Sequence, residues 1–214
     1  MNTQVHNGYE YVDLGLPSGL KWATCNIGAE SPEHSGMYFT WGETKGYTID
    51  DINSNIRSFN KLEYKYNSAS LISDDLIDKC DAAYIYMRGS WRTPINKDFT
   101  ELIKNTYKTW IDDYNKTGVS GLLLTSKTNG NSIFFPECGG YALDESLART
   151  VSKIKNFDPT EYRDNPHKES YYWVGTVKGG FFPFLKIENG SNSYRWMYEM
   201  NGSCCFAVRP VADK

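Results

Sequence analysis

The sequence predicts an α+β fold, on three observations. Short strand-like segments open the chain, two amphipathic helical stripes occupy its middle, and a succession of glycine-marked hairpin signals fills the remainder. At 214 residues it suits one domain, 1–214, with sizeable surface loops rather than two domains.

Taken in order, strands are expected over 9–14, 20–25 and 37–41, with Gly15, Pro17, Gly19 and Gly36 as breaks. The next stretch, 44–70, is polar and without sustained periodicity, which marks a surface insertion. Ser73 followed by Asp74 and Asp75 reads as a helix start, because a side-chain oxygen caps free amides and carboxylates meet the positive end of the helix dipole. Leu76, Ile77, Cys80, Ala83, Tyr84 and Met87 then recur at helical spacing, and Gly89 ends the helix. A second helix is expected over 95–105, with Ile95, Phe99, Leu102 and Ile103 on its buried face and Thr93 or Asn96 as its cap.

Beyond Tyr107 hairpin signals dominate. Asn129-Gly130 divides 122–126 from 132–135 and tolerates the positive φ angles of a type I′ turn. Gly179-Gly180, Asn189-Gly190 and Asn201-Gly202 separate strands at 172–177, 181–187, 194–198 and 204–208, which are expected to form a four-stranded antiparallel meander. The charged stretch 142–170, with Pro159 and Pro166, is a second expected insertion, with a short helix near 146–155.

Composition narrows the function. Hydrophobic residues at 40% and charged residues at 23% are ordinary for a globular domain, but 15% aromatic residues is high, as β-rich cores and sugar- or protein-binding surfaces both favour. A net charge of −3 with no basic run gives no footprint for nucleic acid. No window approaches the ~20 apolar residues of a membrane-spanning helix, and the first residues carry no signal peptide, so no membrane insertion is expected. The five cysteines, Cys25, Cys80, Cys138, Cys204 and Cys205, lack the spacing of a zinc site or disulfide framework and read as free, buried thiols.

Four blocks carry a resemblance. They are Tyr11-Val12-Asp13-Leu14-Gly15-Leu16-Pro17-Ser18-Gly19-Leu20-Lys21-Trp22-Ala23, Tyr38-Phe39-Thr40-Trp41-Gly42-Glu43, Gly89-Ser90-Trp91-Arg92-Thr93-Pro94 with Phe99-Thr100-Glu101-Leu102, and Val208-Arg209-Pro210-Val211. Together they resemble the paralogous surface domain of gut Bacteroidetes and their phages, a family similar to the formylglycine-generating-enzyme branch of the C-type lectin fold. That branch also supplies ligand-displaying variable proteins of diversity-generating retroelements. The resemblance implies a C-type-lectin-like fold, with two amphipathic helices packed on short antiparallel sheets and a C-terminal β-meander. It also implies that Trp41, Glu43, Trp91, Arg92, Pro94 and Arg209 are structural. The chain departs from the family in the length of 142–170 and in Cys204-Cys205, where relatives often carry Tyr, Ser or Gly.

Catalytic constellations are sparse. A formylglycine-generating oxidase needs two thiols converging on one copper ion or one substrate cysteine. Cys204 and Cys205 are adjacent, so on a strand they point to opposite faces. His6, His34 and His167 are far apart and read as solvated surface residues, with no H-E-x-x-H motif. Ser120 lacks the second glycine of a nucleophile elbow, and Cys138 has no evident histidine base. Asp50/Asp51, Asp74/Asp75 and Asp112/Asp113 read as caps and turns, since no calcium-loop pattern surrounds them. No catalytic residues, metal or cofactor are therefore expected.

The candidate binding residues are Tyr194, Arg195, Trp196, Tyr198, Glu199 and Asn201. Alternation puts Tyr194, Trp196 and Tyr198 on one face of a strand, and Arg195, Met197 and Glu199 on the other, with either face open to be the core side. In the retroelement-diversified relatives this region holds the displayed residues. The resulting expectation is a non-catalytic ligand- or receptor-binding domain on a phage particle or bacterial surface. Its partner is a protein or glycan on a host or cell surface. A virion structural or decoration protein docking on other virion proteins is the alternative, and a formylglycine-generating-type oxidase is a more distant one.

Overall fold

The computed structural model describes residues 4–51, 78–142, 169–176, 182–189, 194–200 and 204–214, and of 194–200 the backbone alone. The expected helix start at Ser73, the Asp74/Asp75 pair, the 146–155 helix and most of both insertions lie outside the described residues. Those described form an α+β arrangement of mostly antiparallel sheets.

The chain begins with a hairpin, β1 (Gln4–His6) and β2 (Tyr9–Asp13). The expected strands start only at residue 9, yet Asn7-Gly8 adopts two successive left-handed conformations (φ 48° and 84°), the geometry of a type I′ turn. The dipeptide was legible as a turn signal, and β1 follows from it. β3 (Lys21–Ala23) pairs with β2, and β4 (Tyr38–Phe39) lies in a different sheet. Part of the first expected insertion is ordered against β4: Tyr47 bridges Tyr38, and Tyr47 and Ile49 pack beside Tyr38 and Cys205.

A 3-10 turn at Asp78–Cys80 leads into helix α1 (Ala82–Met87). The helix is capped at Asp81 within what reads as one continuous apolar stripe. Asp81 is 3% exposed, and its carboxylate accepts from Ala83 N at 2.8 Å, Thr93 N at 2.8 Å and Thr93 Oγ1 at 2.7 Å. Burial pushes this carboxyl above the usual range, while the bonds from Thr93 and Ala83 oppose that rise. The cap joins α1 to the chain entering α2 (Asn96–Lys104), beyond β5 (Trp91–Arg92). Thr93 is thus committed to Asp81, and α2 is not capped by Thr93 or Asn96. Asp98 accepts from the Ile95 amide at 2.8 Å and holds Arg92 Nη1 at 2.5 Å. Phe99, Leu102 and Ile103 are buried as the stripe requires, while Ile95 occupies the N-cap.

Strands β6 (Thr106–Ile111), β7 (Gly121–Ser126) and β8 (Ser132–Pro136) form one sheet. The β7–β8 connection differs from the expected two-residue turn, because at Asn129-Gly130 only Gly130 is left-handed (φ 74°). Ser126 Oγ organises the loop, accepting from the amides of Thr128 and Asn129 and donating to Leu14 O at 2.6 Å. Asn129 and Asn131 side chains both donate to Asp13 O, so tertiary contacts set this turn.

The C-terminal half is not a four-stranded meander. β10 (Glu169–Trp173), β11 (Phe182–Glu188) and β12 (Tyr194–Met200) are antiparallel neighbours, but β13 (Cys204–Ala207) crosses to the far side of β10. There it pairs parallel with β10 and antiparallel with β4, in the sheet order β12-β11-β10-β13-β4, with β9 (Tyr141–Ala142) also on β13. β14 (Val211–Ala212) leaves that sheet and lies between β3 and β5, in the order β1-β2-β3-β14-β5.

The sheet of β10, β11 and β13 is buried on both faces. Tyr172, Leu185, Ile187 and Ala207 join Trp22, Phe99, Leu102 and Phe135 on one side. Tyr171, Trp173, Phe184 and Phe206 join Phe39, Trp41 and Ala83 on the other. This explains why Tyr171-Tyr172-Trp173-Val174 reads as a continuous apolar run with no polar alternation.

Two predictions follow from this packing. Trp91 is fully buried and donates from its indole to His6 O at 3.0 Å, and Trp41 donates to Val174 O at 2.8 Å. Trp41→Ala and Trp91→Ala are each expected to lower unfolding free energy by ~3–5 kcal/mol in urea titrations. Arg88 closes α1 at φ 58°, ψ −171°, a conformation that suits glycine. Arg88→Gly is expected to raise stability by ~0.5–1 kcal/mol in the same titration, where an ordinary exposed arginine would lose or change nothing.

Candidate functional site

Strand β12 carries Tyr194, Arg195, Trp196, Tyr198 and Glu199 at one end of the six-stranded sheet, while Asn201 lies outside the described residues. Its register against β11 sets Tyr194 opposite Ile187, Arg195 opposite Lys186, Trp196 opposite Leu185 and Met197 opposite Phe184. Ile187 and Leu185 face the core that contains α2, and Phe184 faces the core that contains Trp41. Tyr194 and Trp196 therefore share the register positions of one face, and Arg195 and Met197 those of the other.

The alternation then breaks. Met200, not Glu199, stands opposite Phe182, so two residues, Tyr198 and Glu199, face the single residue Pro183. Pro183 has no N–H to donate to a ladder, and a bulge is how a sheet accommodates such a residue. Tyr198 and Glu199 consequently do not continue the faces of Tyr194/Trp196 and Arg195/Met197 as simple alternation expects.

On β10 and β11, beside β12, charged residues pair with one another. Lys186 Nζ lies 2.6 Å from Glu169 Oε1 and 2.9 Å from Glu188 Oε2, and Glu169 also accepts from the Tyr171 hydroxyl. The Lys186 ammonium is thus paired with one carboxylate of its own strand and one of β10. Elsewhere, an open groove of about 550 Å³ runs along α2, lined by Pro17, Asn96, Lys97, Thr100, Glu101, Lys104 and Asn105. Its Glu101 is already held by Ser18 N and Oγ.

The motif residues sit inside the fold. Arg92 is clamped by Asp98 and Asp213, Pro94 O accepts from Gly175 N at 2.8 Å, and the Glu43 amide donates to Thr40 O at 3.1 Å. Arg209 is fully buried, donating from Nε to Asn26 Oδ1 at 2.8 Å and from Nη1 to Thr24 O at 2.6 Å, with its guanidinium 4.8 Å from the Phe135 ring centroid.

The nucleophile candidates are sealed. Cys204 packs with Phe39 and Phe206, and Cys205 packs with Tyr38 on the opposite face, yet both faces are covered and neither thiol reaches solvent. The two thiols point to opposite faces and both are buried, as the sequence leads one to expect, because this sheet is covered on each side there. Burial pushes the Cys204 thiol to about 12, the Cys138 thiol to about 11 and the Cys205 thiol well above its ordinary value. Ser120 Oγ donates to the Glu137 carboxylate. His34 is exposed and His167 is outside the described residues, but His6 is not a free surface residue: its Nε2 lies 2.9 Å from Ser90 Oγ. Asp51 and Asp113 accept from nearby turn amides, and among the described residues no three His, Cys, Asp or Glu side chains gather around a common point.

With four of the five thiols buried and Cys25 half-buried, an aromatic disulfide reagent at pH 8 is expected to titrate at most one thiol per native chain and five after denaturation. Rapid native titration of two or more would contradict this packing. No protein-family model, no curated protein and no solved structure matches this chain.

Proposed function

We propose that this protein is a non-catalytic recognition module on a C-type-lectin-like scaffold, in which β12 and its flanking turns meet a protein or glycan on a host or cell surface. The observation that carries the reading is the seating of β12. It is held in register by β11, and the sheet behind it is packed on both faces by aromatic side chains. A strand so placed loses little conformational freedom on binding, and Tyr, Trp and Arg are the residue types that anchor interfaces. The resemblance of the four sequence blocks to the surface domain of gut Bacteroidetes and their phages supports a setting on a phage particle or bacterial surface. The burial of Trp41, Trp91 and Arg209 fits motif residues that build a scaffold and leave recognition to other positions. Buried, protonated thiols at Cys138, Cys204 and Cys205 supply neither a nucleophile nor a metal ligand without rearrangement.

The test is a glycan and host-surface binding screen, followed by the combined change Arg195→Ala, Glu199→Ala and Asn201→Ala. The thermal midpoint is expected to stay nearly constant while binding weakens at least tenfold, a loss of ~1.4 kcal/mol. Normal binding by this variant, with loss of binding when residues in 44–70 or 142–170 are changed, would place the site on the insertions and overturn the assignment.

A further inference from the structure

We infer that His6 makes the N-terminal strand a pH-gated latch, in which a neutral imidazole holds β1 to the Ser90–Trp91 turn and protonation lets the strand go. The inference is independent of the binding site proposed above. β1 is three residues long, paired only with β2 among the described residues. Its attachment to the rest of the molecule runs through a few side-chain contacts. Trp91 Nε1 donates to His6 O at 3.0 Å, the His6 ring meets the Trp91 ring edge-on at 5.7 Å, and Asn7 Nδ2 donates to Met87 O at 2.6 Å. The fourth is the contact of His6 Nε2 with Ser90 Oγ at 2.9 Å.

The polarity of that last contact follows from both of its neighbours. Ser90 Oγ lies 3.2 Å from Asp213 O, a carbonyl that only accepts, and the other ring nitrogen faces a lysine that only donates, so the arrangement that satisfies all four groups sends the serine proton to Asp213 O and has Oγ accept from the imidazole. Nε2 therefore carries the ring proton, and Nδ1 presents its lone pair. Facing Nδ1 at 3.5 Å is Lys21 Nζ, which only donates and is itself held 5.3 Å from the Tyr11 ring centroid. Lys21, His6, Ser90 and Asp213 thus form a one-way chain of donors and acceptors that is complete only with a neutral ring. A second proton has one place to go, Nδ1. It converts that acceptor into a donor and sets a cation against the lysine ammonium.

The surrounding charges do not relieve this. Glu10 of β2 stands opposite Val5, on the other face of the hairpin from His6, and Asp13 pairs in register with Lys21. Arg92 of β5 adds positive charge, and the Asp213 carboxylate is engaged by Arg92 at 3.1 Å. Arg88, at the end of α1, lies over Tyr84, and Tyr9 and Tyr11 are phenols. Burial and the Lys21 charge both lower the His6 pKa below 6.5. A depressed histidine value means the unfolded or released strand binds the proton more readily. The latch is therefore fully engaged above pH 6.5 and is lost as pH falls through the window below it.

Amide hydrogen exchange of the full chain, corrected for the intrinsic pH dependence, tests this. Opening of 4–6 relative to 121–136 is expected to increase at least threefold between pH 7.5 and 5.0 in the wild type. In His6→Gln, which retains a donor to Ser90 but gains no proton, it is expected to be the same at both pH values. Lys21→Met is expected to move the opening transition to higher pH as the lowered His6 value returns toward normal. Opening of 4–6 that does not change with pH in the wild type, or that changes equally in His6→Gln, would overturn the latch. A parallel rise in 121–136 would do the same, because the effect would then be global.

Discussion

The guanidinium of Arg209 is removed from water without a carboxylate within ion-pair distance among the described residues, and much of the tertiary structure is arranged to make that tolerable. A buried cation costs several kcal/mol unless its donors are met by fixed acceptors. Here Nε and Nη1 are met by Asn26 Oδ1 and the carbonyls of Ala23 and Thr24, at the end of β3, with the Phe135 ring beneath, while Nη2 is buried without a hydrogen-bond partner among the described residues. Those groups come from opposite ends of the chain and from the β7–β8 sheet. Once they converge, Pro210 and Val211 are carried between β3 and β5, and the last strand closes the sheet begun by the first. Burial pushes the arginine below its ordinary value.

Closing the chain in this way leaves the second sheet sandwiched. One face of β10 and β11 meets α2 and Trp22, and the other meets Trp41 and α1. The consequence for chemistry is that the phenols and thiols inside are held neutral: Tyr172 and Tyr38 rise well above their ordinary values for the same reason of burial that raises the thiols. Both faces of the sheet are covered by packing, and β12 lies at its edge among the described residues.

At that edge, Pro183 has an influence out of proportion to its size. It withholds one amide from the ladder where the register with β12 shifts by one residue, so simple alternation does not run through Tyr198 and Glu199. The ion pairs of Lys186 with Glu169 and Glu188, on β10 and β11, add a second local feature. The proposed recognition surface is therefore shaped by residues of the neighbouring strands as much as by its own.

Local signals settled a good deal. Helical spacing at Phe99, Leu102 and Ile103, the type I′ dipeptide Asn7-Gly8 and the unbroken apolar run at Tyr171–Val174 each encode their structure within a few residues, because each depends only on period, φ or solvent exclusion. The α+β class and the opposite faces of Cys204 and Cys205 follow from the same short-range rules. Other features were decided by the assembled fold. Which strand β13 joins, the covering of both thiols, the capping of α1 by Asp81, the five-residue loop at Asn129-Gly130 and the bonding of His6 to Ser90 all require distant partners, from Thr93 for Asp81 to Tyr38 for Ala207, or packing on a second face. A sequence window holds the turn residues and the periodicity. It does not hold the identity of the distant acceptor that satisfies a buried polar group, and in this protein those acceptors choose among the conformations that local propensity leaves open.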